Sequence, residues 1–149
     1  MANQISKLLL HVAGIFEDNS LVNTIVFKDD DVFDVEKENI YPLVSMALIN
    51  SVKADDLVSI SMSFEILNQR DYIPESTPSK LMLDTNYIDN INICDSIGND
   101  FILEISKTHN DLDINTESYS EFEYIRKDER NCLDGVRFEV LFSMHQNDV

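Results

Sequence analysis

Three histidines, two cysteines and 28 acidic residues are the side chains of this sequence best suited to catalysis or metal binding. His11, His109 and His145 lie far apart, on three different elements, and none has a cysteine or carboxylate at dyad or ligand spacing. Cys94 and Cys132 form no C-x-x-C pair and read as two reduced thiols. Ser59, Ser61 and Ser63 alternate with apolar residues, which marks the wet face of a strand and not an activated nucleophile. There is no nucleophile elbow and no H-E-x-x-H, and three glycines in all leave little room for a phosphate-cradling loop. Asp111, Asp113 and Asn115 open a calcium-loop pattern. Thr116 then replaces the glycine of the sharp turn, and Phe122 stands where the bidentate glutamate is needed. The expectation is a chain with no catalytic residues, no metal and no cofactor. A carboxylate pair for hydrolysis stays open in so acidic a chain, so a small hydrolase is retained as one alternative.

The acidic excess bounds the partners. With 11 basic residues against 28 acids the net charge is −17. Nucleic-acid and anionic-membrane binding rest on Lys and Arg neutralising phosphates, so neither partner fits, and no duplex binding is expected even at low salt. The charge fits solubility, a basic partner, or a surface that must not adhere to DNA. A chain of 149 residues, 44% of them hydrophobic, reads as a single domain over 1–149 with a core of its own. No run approaches the roughly 20 apolar residues of a membrane span. Lys7 is the only basic residue near the start and His11 interrupts Leu8 to Val12, so the N-terminus does not read as a secretory signal.

The elements that would position any site follow from periodicity. Val58, Ile60, Met62, Phe64 and Ile66 alternate with Ser59, Ser61, Ser63 and Glu65, a half-buried strand. Leu43 to Val52 is apolar on both faces and reads as a more central strand. The polar Lys53 to Asp56 closes the two into a hairpin. Ile5, Leu8, Leu9, Val12 and Phe16 form one stripe of a helix over about 3–17. Leu21 to Phe27 is a short β-prone run. Residues 28–40 form an acidic loop or arm carrying Asp29, Asp30, Asp31, Asp34, Glu36 and Glu38. Clustered carboxylates suit hard cations, but a solvated arm pinned by Val32, Phe33 and Val35 is the simpler reading. Thr77-Pro78 is a plausible helix start, and Leu83, Tyr87, Ile91, Cys94, Phe101 and Ile105 extend that helix to about 107, with a break expected around Ser96 to Asn99 at Gly98. Thr108 to Ser118 reads as a loop. Tyr119 to Ile125 and Gly135 to Met144 form a final hairpin. The predicted fold class is α+β: an antiparallel sheet of about five strands with two helices packed on one face, in the order α-β-β-β-α-β-β.

Two segments carry a family resemblance. Asp34-Val35-Glu36-Lys37-Glu38-Asn39-Ile40-Tyr41-Pro42-Leu43-Val44 resembles a segment of the neck or tail-terminator (tail-completion) proteins of tailed bacteriophages, especially the crAss-like phages of Bacteroidota. There an Asp, a Lys three residues on and an aromatic-Pro-Leu step lead into a central strand. Leu133-Asp134-Gly135-Val136-Arg137-Phe138 is similar to the family's loop-to-strand ending, with Val136 where an aromatic is expected. The resemblance implies a structural virion protein that carries no catalytic residues. It implies a homo-oligomeric ring, a hexamer or dodecamer, joining the head's portal to the tail beside neighbouring portal, neck or tail proteins, with assembly in the host cytoplasm. It implies that DNA traverses the ring without specific binding. Asp34, Lys37, Tyr41 and Pro42 match the motif and become candidate subunit contacts, together with Val32 and Phe33, apolar residues of the arm that need cover. The competing reading of Asp34 and Lys37 is a local surface ion pair, worth under ~1 kcal/mol. The alternative function is an acidic inhibitor or DNA mimic that binds a basic partner.

Overall fold

The computed structural model describes residues 4–27, 40–71, 85–107, 113–128 and 132–145. Among these residues two helices, α1 (Gln4–Glu17) and α2 (Tyr87–Ile105), accompany six strands: β1 (Thr24–Phe27), β2 (Leu43–Ala54), β3 (Leu57–Gln69), β4 (Asn115–Tyr119), β5 (Glu123–Lys127) and β6 (Leu133–His145). The protein is thus a mixed α+β structure on one six-stranded, mostly antiparallel sheet, ordered β1-β2-β3-β6-β4 with β5 also on β6.

β3 is central. Its even-numbered residues Val58 to Ile66 are all buried, as are Val136, Phe138, Val140, Phe142 and Met144 of β6. The register sets Phe64 opposite Phe138 and Met62 opposite Val140, so two apolar combs form one continuous floor. Leu8, Val12 and Phe16 of α1 and Cys94, Ile97, Phe101 and Ile105 of α2 cover that floor. Phe16 stacks on Phe101 at 4.2 Å, and Phe64 lies 4.9 Å from Phe101 and 5.3 Å from Phe138. Both helices therefore sit on one face, as their single apolar stripes require.

Several details differ from the expectation. β1 runs parallel to β2, because the long connection from Phe27 to Leu43 lets the chain cross back before pairing. β2 is covered on both faces only over Leu43 to Met46; from Leu48 onward it is exposed, extending beyond β1. A bulge between Leu48 and Asn50 shifts its register. The turn is tighter than expected: Asp55 and Asp56 alone join β2 to β3, with Asp55 at a φ of 54°, a conformation Asp tolerates.

α2 begins at Tyr87, and the expected start at Thr77-Pro78 lies outside the described residues. The helix also runs unbroken through Gly98, because that glycine serves packing: a Cβ there would stand 2.7 Å from the Phe122 ring. Residues 115–118 are strand and not loop. β4 and β5 act as two halves of one edge along β6, interrupted at Ser120. Its N–H donates to the Glu139 carbonyl and its Oγ accepts from the Glu139 N–H, both at 2.8 Å, so a side chain carries the ladder across the break. The chain can then turn Phe122 inward onto Phe138, 4.5 Å away. No helix among the described residues is long and apolar enough to cross a membrane.

Candidate functional site

The site expected from the sequence is only partly within view. Val32, Phe33, Asp34 and Lys37, with the rest of the arm before Ile40, lie outside the described residues. Tyr41 and Pro42 are described, joined by a cis peptide bond. The Pro42 carbonyl accepts from the N–H groups of Asn23 and Thr24 at 3.0 and 3.4 Å. The Tyr41 carbonyl accepts from Asn23 Nδ2 at 2.7 Å, and that of Ile40 from Thr24 Oγ1 at 2.7 Å. These bonds fix where β1 begins against β2. The Tyr41 side chain packs on a small second core on the sheet's other face, made by Leu43, Leu67, Ile125 and Leu133. Leu43, Leu67, Gly135 and Ile125 form one cross-strand row there. A Cβ on Gly135 would run into the Ile66 carbonyl, so glycine is required by the close approach of β3. Tyr41 and Leu43 thus meet Leu133, distant from them in sequence, in this cluster.

Next to it lies a buried polar clasp that periodicity did not reveal. Arg70, at the end of β3, donates to Asp134 of β6 through Nη2 at 2.7 Å and Nε at 3.1 Å, and to Asp128 through Nη1 at 2.7 Å. The Asp134 side chain is fully buried and that of Arg70 is 5% exposed. Asn90 of α2 donates to Asp134 at 3.2 Å and to the Gln69 carbonyl at 3.0 Å, and accepts from Asn68 at 3.0 Å. Asn86, four residues earlier on the same helix face, accepts from the Asp71 N–H. One guanidinium and three asparagines therefore pin the start of α2 to the ends of β3 and β6. The hydrogen bond to Asp134, reinforced by Asp128, holds the Arg70 guanidinium charged well beyond its usual range. Asp128 is pulled below the ordinary carboxylate value, chiefly by Arg70. Burial, then Asp134 and Asp95, pushes the Cys94 thiol up to about 12, so this cysteine is inert as a nucleophile.

On the sheet's uncovered face Glu65 bridges two cations, Arg137 at 2.9 Å and Lys127 at 2.9 Å. Burial alone would raise its pKa, but the hydrogen bonds from Lys127 and Arg137 outweigh burial and leave it lowered.

Two surface features lie toward opposite ends of α2. Toward its C-terminal half, a cleft of about 390 Å³ opens against the end of α1, bordered by Asp18, Asp100 and Glu104 over Phe16, Ile97 and Phe101. Near its N-terminus, the Arg126 guanidinium lies 5.5 Å from the centre of the Tyr87 ring, with Ile88 and Tyr124 exposed. His11 is half-buried, with its pKa lowered by desolvation against the opposing pull of Glu104. His145 ends β6, and His109 lies outside the described residues. Among the described residues no three His, Cys, Asp or Glu side chains are grouped to hold a metal ion. Of the calcium-like pattern, Asp111 lies outside the described residues, while Asn115 and the Thr116 that breaks the pattern lie in β4 opposite Ser143 and Phe142.

No protein-family model matches the sequence, and no characterised protein matches it at a significant level.

Proposed function

We propose that this chain is a structural virion protein and not an enzyme: a ring-forming neck or tail-completion subunit, in a hexamer or dodecamer, that joins a phage head and its portal to the tail. The observation that carries this reading is the convergence of Tyr41 and Leu43 with Leu133 in one buried cluster. The two motif segments that resemble the tail-completion family are thereby parts of one structural feature, with β2 and β6 flanking β3. The buried polar groups support the same reading, since Arg70, Asp134 and Asn90 are engaged with one another and hold elements together. The work of the molecule then falls to its surfaces. A net charge of −17 suits a wall along a DNA path, because a duplex carries about one negative charge per 1.7 Å and an acidic wall does not grip it.

In this role the acidic arm at 28–40 orders against a neighbouring subunit, giving Val32 and Phe33 an apolar contact. Deleting Asp30 to Phe33 tests it: the melting temperature of the isolated chain should stay within a few degrees of the parent while assembly is lost. A large fall in melting temperature would place these residues in the chain's own core and remove the arm from the account.

A further inference from the structure

The two features along α2 are opposite in charge. Tyr87 and Asp100 stand thirteen positions apart on one helix, on the order of 20 Å along its axis at ~1.5 Å per residue. The dipole of α2 is positive at the Tyr87 end and negative toward Ile105, and that of α1 is negative at Glu17, beside the cleft. Neither helix has a basic residue in its last turn to offset this. Asp18, Asp100 and Glu104 add their charges at the cleft, and among the described residues no Lys, Arg or His lines it. Glu104 does pair with Lys107 at 2.8 Å, but both side chains are about half exposed or more, and such a pair exchanges partners at little cost. The opposite end presents what interface centres are enriched in, an arginine among aromatic and apolar side chains. Arg126 is 54% exposed, Tyr124 61% and Ile88 46%. Its own carboxylate partner, Asp128, is 3.5 Å away and takes a shorter bond, 2.7 Å, from Arg70.

We propose that copies of this chain associate head to tail, Arg126 of one copy, lying over its Tyr87 ring, entering the acidic α1–α2 cleft of the next. The occupant is a second copy because one chain carries both halves of the contact. At a net charge of −17 self-association also needs such a local match to overcome mutual repulsion. Two different surfaces meeting in this way make a heterologous contact, which closes into a ring when the rotation allows. The inference rests on the ring-subunit reading for its biological setting.

Sedimentation velocity of the full chain at about 0.15 M salt, where charges further apart than ~8 Å are screened, tests it. Arg126→Ala keeps the cleft and loses the patch; Asp100→Lys/Glu104→Lys keeps the patch and loses the cleft. Each alone should raise the dissociation constant roughly 30-fold or more, the effect of removing a hot-spot residue at the centre of an interface. Mixed, the two should form a one-to-one dimer that grows no further, since each supplies the surface the other lacks. If a charge-reversed chain melts well below the parent, Asp100→Asn and Arg126→Gln replace the pair and should weaken association in the same complementary way. Parent assemblies of unchanged size in both variants would overturn this contact and leave the ring reading standing. A parent that stays monomeric, with no dimer in the mixture, would also overturn it. Binding by the chain of a short arginine-containing peptide or a divalent cation, with no self-association, would assign the cleft to another occupant and end the proposal.

Discussion

Removing Arg70 tests the clasp most sharply. The Arg70→Ala chain keeps a fully buried Asp134 carboxylate whose remaining side-chain donor among the described residues is Asn90 at 3.2 Å. Stranding a buried charge in this way costs ~3–5 kcal/mol, against ~0–1 kcal/mol for an exposed pair. A domain holds about 5–15 kcal/mol in total, so the loss is a large part of its stability. For a chain of this size the melting temperature should fall on the order of 10 °C. Asp134→Ala should cost less, because the long Arg70 side chain keeps Asp128 and can turn to water. The double replacement Arg70→Met/Asp134→Leu should recover most of the loss, since an apolar pair of similar volume avoids desolvating two charges. Urea unfolding followed by circular dichroism measures all three, and the cycle gives the coupling directly. If Arg70→Ala costs under ~1 kcal/mol, or the double variant is no better than the single, the clasp is not the buried charge pair described.

The face assignment of β3 is tested by Phe64→Ala, expected to cost ~3–5 kcal/mol with the ring fully buried among Phe16, Phe101 and Phe138, against almost nothing for Ser61→Ala on the other face; equal effects in urea melts would refute it. Glu65 has a lowered folded pKa, so its contribution is complete above the ordinary carboxylate value of 4.5 and fades as pH falls through the folded value. Acid titration of stability should therefore be shallower for Glu65→Gln below that point, and identical slopes would contradict the bridge to Lys127 and Arg137. Thiol labelling of the folded chain should modify the exposed Cys132 alone, with buried Cys94 reacting only after unfolding; two fast-reacting thiols would place α2 elsewhere.

Legibility followed how local the cause was. The alternation of β3 and β6 and the stripe of α1 could be read directly, because each element's own side chains decide which face is buried. The start of α2 could not, because the Asn86 side chain makes no capping bond to the helix's backbone N–H groups and is occupied instead with the Asp71 N–H and the Asn90 side chain. Gly98 looked like a break, since its reason is a ring arriving from Phe122. The split of the edge into β4 and β5 depends on one hydroxyl, Ser120, meeting Glu139 across the sheet. Parallel pairing of β1 is a matter of how far the connection reaches, which carries no periodicity. The acidic cleft combines the end of α1 with the far half of α2, and no spacing in the sequence brings Asp18 beside Asp100. Asp134 adjoins Gly135 early in β6, but its partner Arg70 simply follows β3, with nothing local to mark it.

Electron microscopy of the assembly that the protein purifies with from its native source tests the ring-subunit account most directly. The account predicts a ring of six or twelve copies between portal and tail, with an acidic wall facing the DNA path. A monomer or dimer seated on a basic host protein, with no copies at the head–tail junction, would contradict it and favour the acidic inhibitor instead.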